Sequence, residues 1–310
     1  MKITRREFLS NMAGLGVMMS GIMSLVGNAW GKVGAMIEAS ALPDLAIATG
    51  SRGENPEHSV RAAIKAIGGI SQFVKEGDVV VIKPNIGFSR APETAVTTNP
   101  VVVSTLIKLC YEAKAKDVLV FDHTCDYWEI CFKRSGIKQA TLVAGGKIFS
   151  AHRKGLYRKV SIPAGKTLKE TLVVKHLLDA DVIINVPIAK HHGAAELTMG
   201  MKNLMGAVWD RGIFHVKDLH QCIADLSTVI KPHLTVLDAT RILFNNGPRG
   251  PGEVKNIGKI VVGVDPVAVD AYGCSFFGKE PHRIGYINIA YKMGLGEIDL
   301  NKIRVKKVSL

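Results

Sequence analysis

The chain has 310 residues, 47% of them hydrophobic, which supplies a sizeable apolar core and excludes a disordered or low-complexity protein. Lysines and arginines number 40 against 27 acids, leaving a net charge of +13 that is spread along the chain rather than gathered in an arm or on one helix face. A dispersed excess favours a small anionic ligand or a membrane surface, and with an export signal at the N-terminus it argues for no nucleic acid as partner.

That signal comes first in the chain. Residues 1–31 read MKITRREFLSNMAGLGVMMSGIMSLVGNAWG: a basic start, an uncharged and mostly apolar run over 12–26, and small residues near Ala29. Within it TRREFLS (4–10) matches the twin-arginine export pattern, with Phe8 and Leu9 as the large apolar pair one residue beyond the arginines. Gly14, Gly16 and Gly21 interrupt the run, which falls short of the ~18 unbroken apolar residues of a membrane span. The expectation is a twin-arginine signal peptide over residues 1–29, cleaved after Ala29 or Ala35, with an uncleaved membrane anchor as the alternative. It places the protein in the periplasm or otherwise outside the cytoplasm and makes the twin-arginine export machinery a partner. Residues 30–310 remain as a single α/β domain, built as one unit or two lobes. Because this route carries folded proteins, it also raises the prospect of a cofactor inserted before export.

Beyond the signal, strands and helices alternate. LAIAT (45–49) is followed by a helix over 56–68, DVVVIKPN (78–85) by a helix over 100–115, and DVLVFDH (117–123) by a helix over 126–136. Residues 138–166 break the rhythm, where AGGK and the basic HRKGLYRK suggest a small hairpin and a lobe boundary. A helix over 168–178 then leads to DVIINVPI (181–188), and a helix over 216–230 leads to LTVLDA (234–239). After the loop FNNGPRGPGEVKN (244–256), the strand KIVVGVD (259–265) precedes a helix over 266–277. Continuous β-branched runs are strands buried on both faces, so the pattern predicts a doubly wound, mostly parallel α/β sheet with helices on both faces.

In such sheets ligands bind outside the carboxyl ends of the strands. Those ends carry Lys83 and Asn85, then Asp122, His123 and Thr124, then Asn185, Lys190, His191 and His192, and finally Asp238, Thr240 and Arg241. Lys83, directly after VVVI, lies near a buried rim and wants an anion there; the alternative is a plain strand exit ended by Pro84. In AKHHGAAELTMGMKNLMG (189–206), Thr198 predicts the cap of a helix through Lys202, whose free backbone N–H groups with Lys202 and Asn203 would hold a carboxylate or phosphate. The alternative packs Met199, Met201, Leu204 and Met205 in the core and leaves Lys202 solvated.

Asp122, His123 and Cys125 in FDHTCD are either a helix cap with surface neighbours or a metal or proton-transfer set, to which Cys131 adds a further thiol. Cys125 and Cys131 are equally a disulfide pair, while Cys110 and Cys274 read as packing residues. His215 and His220 lie five apart on a helix and share a face poorly. Arg249 either reaches an anion from its Gly- and Pro-rich loop or sits on a surface connection. Asp265 followed by Pro266 reads as a helix start, with Asp270 inside that helix. No Walker A loop, G-x-G-x-x-G, H-E-x-x-H or G-x-S-x-G is present, which takes ground from nucleotide binding, zinc proteolysis and serine hydrolysis.

Six stretches together resemble one family: DADVIINVPIAKHH, TMGMKNLMG, LHQCIADL, KPHLTVLDA, NGPRGPG and VGVDPVAVDAYG. The resemblance, to domain of unknown function 362, runs over residues 80–296. It implies functional positions at Lys83, Asn85, Lys190, His192, Lys202, Asn203, His220, Asp238 and Asp265. Many members of that family carry a ferredoxin-like segment with iron–sulfur motifs; no such motif occurs here, which takes away a built-in cluster. The arrangement is also distantly similar to the nickel-dependent lactate racemase group.

Three readings follow. In the first, an exported α/β enzyme binds a small anionic ligand, with Lys190, His192, Lys202, His220 and Asp238 as catalytic candidates and Lys83, Asn85, Asn203 and Arg249 contacting the substrate. In the second, an accessory protein of periplasmic redox metabolism holds a metal ion or iron–sulfur cluster on His123, Cys125 and Cys131 and meets a redox partner protein. In the third, a solute-binding protein closes on an anion without chemistry.

Overall fold

The computed structural model describes residues 42–51 and 55–310, so the twin-arginine stretch lies outside the described residues. The strands, in chain order, are β1 (Leu45–Thr49), β2 (Val79–Pro84), β3 (Asp117–Asp122), β4 (Lys147–Ser150), β5 (Tyr157–Ser161), β6 (Glu170–Val174), β7 (Val182–Val186), β8 (Ile188–His192), β9 (Glu196–Thr198), β10 (Leu234–Leu243), β11 (Val254–Gly263) and β12 (Val305–Ser309). The helices are α1 (Pro56–Ala66), α2 (Pro100–Glu112), α3 (Trp128–Arg134), α4 (Ile137–Val143), α5 (Lys175–Leu178), α6 (Gly200–Asn203), α7 (Gly212–Val216), α8 (Leu219–Ser227), α9 (Pro266–Cys274) and α10 (Gly285–Lys292).

Ten strands form one mixed, mostly parallel sheet in the order β12-β1-β11-β10-β7-β2-β3-β4, with β8 branching from β10 and carrying β9. The run β10-β7-β2-β3-β4 is parallel throughout. Its side chains alternate between two cores: Val80 and Ile82 of β2 join one apolar cluster, while Val81 joins the other. Alternate burial on both faces is why these strands read as unbroken apolar runs. Helices α1 and α2 cover one face with Val60, Ile64, Val102 and Leu106. Helices α8, α9 and α10 cover the other with Ile223, Val267 and Ile287.

Helix starts follow the residues that favour them. Asn55, Asn99 and Asp265 each accept a backbone N–H of the turn they open, and each is followed by proline, whose missing N–H costs nothing at that position.

Two sequence expectations are corrected. The helix predicted over 168–178 is the strand β6 followed by the single turn α5, because Thr171, Val173 and Val174 pair with β5 in an antiparallel ribbon. The lobe boundary predicted within 138–166 is absent: β4 in that segment pairs with β3, and Tyr157 and Ile162 join the larger core, so Leu42–Leu310 is one compact unit. Among the described residues no helix is long and apolar enough to cross a membrane.

Candidate functional site

The parallel strands deliver polar side chains to one sheet edge. Register places Lys83 at the end of β2 beside Asn185 of β7, and β3 ends next to them at Asp122. The chain then leaves the sheet plane as β8, turns at residues 193–195 and returns as β9, pairing Lys190 with Thr198 and His192 with Glu196. Together these strand ends enclose a cavity of about 590 Å³, within the range of small-molecule sites.

The cavity wall is strongly cationic. Lys83, Lys190, Lys202 and Arg211 line it, and Asp122 is the only carboxylate among the described residues that do so. Lys83 Nζ lies 2.8 Å from Asp122 Oδ1 and donates to the Pro84 carbonyl at 2.6 Å. Asp122 also accepts from the backbone N–H groups of Ile86 and His123, so its lone pairs are spoken for. Gly206 lies against this pair; a Cβ there would collide with Asp122 and with the Lys83 amino group.

Lys190 and Lys202 have no such partner. Lys190 is 1% exposed, and its Nζ donates to Asn85 Oδ1 at 3.1 Å and to the Val96 carbonyl at 2.6 Å. Burial, reinforced by the charge of Lys202, pushes its pKa down to about 7. Lys202 is 9% exposed and is brought down to about 8 by burial, with the Cys125 thiol opposing and Arg211 adding to the fall. Its Nζ meets the Met205 sulfur at 3.8 Å and, among the described residues, no oxygen acceptor. Thr198 is a further lining residue, 4% exposed, whose Oγ1 is buried without a hydrogen-bond partner.

A chain of amides fixes the lysines. Asn203 Nδ2 donates to the Lys83 carbonyl at 3.0 Å and to Asn185 Oδ1 at 2.9 Å, while its Oδ1 accepts from Asn85 Nδ2 at 3.0 Å. Asn85 passes this on to Lys190 through Oδ1. Both amides are therefore bonded to protein groups and position the lysines, with one N–H of Asn85 Nδ2 left over at the cavity.

Of the three histidines lining the cavity among the described residues, His192 and His123 are opposite tautomers. His192 Nδ1 accepts from the backbone N–H groups of Ala194 and Ala195, which leaves the ring proton on Nε2. Burial, then the charges of Lys202 and Lys190, push its pKa to about 2, so the ring is neutral. His123 Nδ1 lies 3.2 Å from the Val208 carbonyl and 3.2 Å from the Tyr157 hydroxyl, whose own proton goes to the Ala151 carbonyl. Both partners accept, so His123 carries its proton on Nδ1 and keeps a lone pair on Nε2. Burial lowers it to about 4, and its ring stacks on Trp209.

Eight predicted residues thus meet in the cavity: Lys83, Asn85, His123, Cys125, Lys190, His192, Lys202 and Asn203. Four lie elsewhere. Asp238 accepts from the Asn99 backbone and from Thr240, tying β10 to the start of α2. His220 accepts the Tyr286 N–H and packs on Gly285, between α8 and α10. Arg249 pairs with Asp126 at 3.0 Å and lies over the Phe88 ring. Cys131 is buried in the core opposite, while Cys125 is exposed, and both thiols are free. Among the described residues no three His, Cys, Asp or Glu side chains are grouped to hold a metal ion, so the set His123, Cys125 and Cys131 does not fit one.

The helix start expected at Thr198 is also different. The N–H groups of Gly200 and Met201 are taken by Asp270 Oδ1 and Oδ2, at 2.6 and 3.0 Å, so no anion site is open there. Burial raises the Asp270 pKa to about 7 against these two donors. Sequence reading missed Arg211, whose guanidinium is fixed by the carbonyls of His123 and Thr124, as well as His215, stacked 6.2 Å from His192. Neither follows a strand, so the strand-end rule has no purchase on them. The same rule does not reach Gly247 and Pro248, brought over the cavity by the bond from Gly247 N–H to His191 Nδ1.

The fold and site therefore define an α/β protein with a cationic strand-end cavity. Residues 80–275 match the family model described as Domain of unknown function (DUF362), and the chain belongs to that family. It is 27% identical over 256 residues to Thylakoid-associated protein sll1697 of Synechocystis sp., covering 76% of this chain and 74% of that one. Among solved structures it is similar to the lactate racemase apoprotein from Thermoanaerobacterium thermosaccharolyticum, at 13% identity and a TM-score of 0.48 over 74% of this chain and 56% of that one. A Thermotoga maritima protein is similar at 12% identity and a TM-score of 0.43, over 73% and 60%. The chain spans less than two thirds of the length of either solved structure.

Proposed function

We propose that this protein is an enzyme that binds a small organic anion in the strand-end cavity and moves a proton on it. The observation that carries this is the charge balance: Lys190 and Lys202 are buried beside Arg211, and the one lining carboxylate is already bound to Lys83. A buried cation without a counter-charge costs several kcal/mol, a cost that a bound anion offsets.

The histidines supply the rest. His123 Nε2 accepts a proton, His192 Nε2 donates a hydrogen bond, and Lys190 and Lys202 hold the negative charge that develops when a proton leaves the substrate. Lys83, Asp122, Asn85 and Asn203 set the geometry. The twin-arginine stretch at 4–10 supports a site of action outside the cytoplasm.

Titration calorimetry with acetate, pyruvate and inorganic phosphate tests the anion reading. Wild-type protein is expected to bind at least one of them, and Lys190→Met and Lys202→Met to lose that binding. Equal affinity in wild type and both variants would place the anion elsewhere and end the proposal.

A further inference from the structure

Lys190 and Lys202 differ in how their amino groups are held. Lys190 is anchored on two oxygens, and Lys83 shows what this fold does with a lysine kept as an ammonium: it sets a carboxylate against it. Lys202 has neither arrangement. Its backbone is rigidly placed, because Asp270 clamps the N–H groups of Gly200 and Met201 on one side and the Asn203 amide locks the next residue on the other. Its amino group nevertheless projects into the cavity with only the Met205 thioether for company. A fixed stem whose amine donates to no oxygen leaves the nitrogen lone pair free to attack once its proton is lost, whereas the Lys190 nitrogen is held on two oxygens; that arrangement makes Lys202 the nucleophile of the two.

We infer that Lys202 is a nucleophile that forms a Schiff base with a small carbonyl compound carrying a carboxylate or a phosphate. This rests on the anion reading: Lys190 and Arg211 engage the anionic group while Lys202 meets the carbonyl carbon. The Lys202 nitrogen forms a bond to that carbon as the C=O π pair moves to oxygen, and a proton passes from nitrogen to oxygen to give the carbinolamine. With one proton taken from solvent, the hydroxyl leaves as water and the nitrogen lone pair closes the C=N bond. The iminium then withdraws electrons from the neighbouring carbon, where His123 Nε2 is the acceptor for a released proton.

Borohydride trapping tests the step. Full-length protein is incubated with pyruvate or, separately, dihydroxyacetone phosphate, reduced with sodium borohydride and mapped by peptide mass. The expected result is one reduced adduct on Lys202 with at least one probe, lost in Lys202→Met, an apolar replacement that relieves a buried charge and keeps the fold, and lost in Lys202→Arg. The probe that labels identifies the anionic group as carboxylate or phosphate. Labelling confined to exposed lysines, labelling of Lys190 instead, or no adduct with either probe overturns the assignment. If pyruvate or phosphate still binds by calorimetry while no adduct forms, the anion site stands and the Schiff base falls; if neither occurs, both fall.

Discussion

Asp122 Oδ1 lies 2.8 Å from Lys83 Nζ, and both side chains are almost wholly withdrawn from water. That pairing decides the character of the site. It neutralises one lysine at the cost of the only carboxylate that lines the cavity among the described residues and leaves Lys190 and Lys202 uncompensated. Had Asp122 faced either of those lysines, the cavity would be close to charge-balanced and its case for an anionic ligand would weaken.

Breaking this pair is expected to be severe. Asp122→Asn strands a buried ammonium and turns one of the two oxygens that accept the Ile86 and His123 N–H groups into a donor, with an expected loss of about 3–5 kcal/mol. The double variant Lys83→Met with Asp122→Asn should recover part of that loss in chemical denaturation. A double variant as unstable as the sum of the two singles would show that the pair is not coupled.

Anion binding should weaken as pH rises. The folded, ligand-free pKa values of about 7 for Lys190 and about 8 for Lys202 mean that Lys190 is half-charged at pH 7, where Lys202 is still mostly charged, and that the two lose their protons between roughly pH 6 and 9. Affinity for phosphate or a carboxylate, measured by calorimetry, is expected to be level on the acid side of this window and to fall across it, allowance being made for the ligand's own titration. Borohydride-trapped adduct should show the opposite trend, since it needs the free amine. Affinity unchanged between pH 6.5 and 9 would exclude these lysines as the anion's partners.

Much of this organisation is legible in the sequence, and the parts that are not have physical reasons. The parallel strands declare themselves because Val80, Val81 and Ile82 are buried on alternating faces, leaving no polar position in the run. The strand-end rule then finds Lys83, Lys190 and His192 directly. The rule also points to Asp238, which lies outside the cavity because its partner, the Asn99 backbone, comes from a segment far along the chain. His220, implied by the family resemblance, and Cys131, read as a further thiol beside Cys125, sit on helices, where a side chain declares no direction until its neighbours are placed; one accepts the Tyr286 N–H and the other points into the core. Arg211 and the Asp270 clamp on α6 arise from tertiary contacts with no local pattern. Strand β6 reads as helix because Leu168 and Leu172 lie four residues apart, a helical spacing that pairing with β5 overrides.

Removing the buried amine should stabilise the protein while disabling it. A lysine whose folded pKa is depressed binds its proton less well folded than unfolded, so its cost is fully present below about pH 8 and disappears as pH rises toward 10.5. Lys202→Met is therefore expected to raise the melting temperature at pH 7, by about 2–4 °C for each kcal/mol recovered in a chain of this size. A drop in melting temperature would mean that Lys202 is already compensated and is not waiting for a ligand.

Gly206 tests the same site from the backbone side. It lies against the Lys83–Asp122 pair, so Gly206→Ala forces a methyl group into the space occupied by the carboxylate and the ammonium. Overpacking of this kind typically costs ~1–3 kcal/mol, and here it also drives apart two buried charges. The expected outcome is lower stability together with weakened anion binding, because the carbonyl of Gly206 holds the His123 N–H and its displacement shifts that histidine as well. Gly206→Ala in the Asp122→Asn, Lys83→Met background should cost less, since no ion pair is left there to be driven apart. Equal cost in both backgrounds would assign the glycine to packing alone and separate it from the charge arrangement that shapes the cavity.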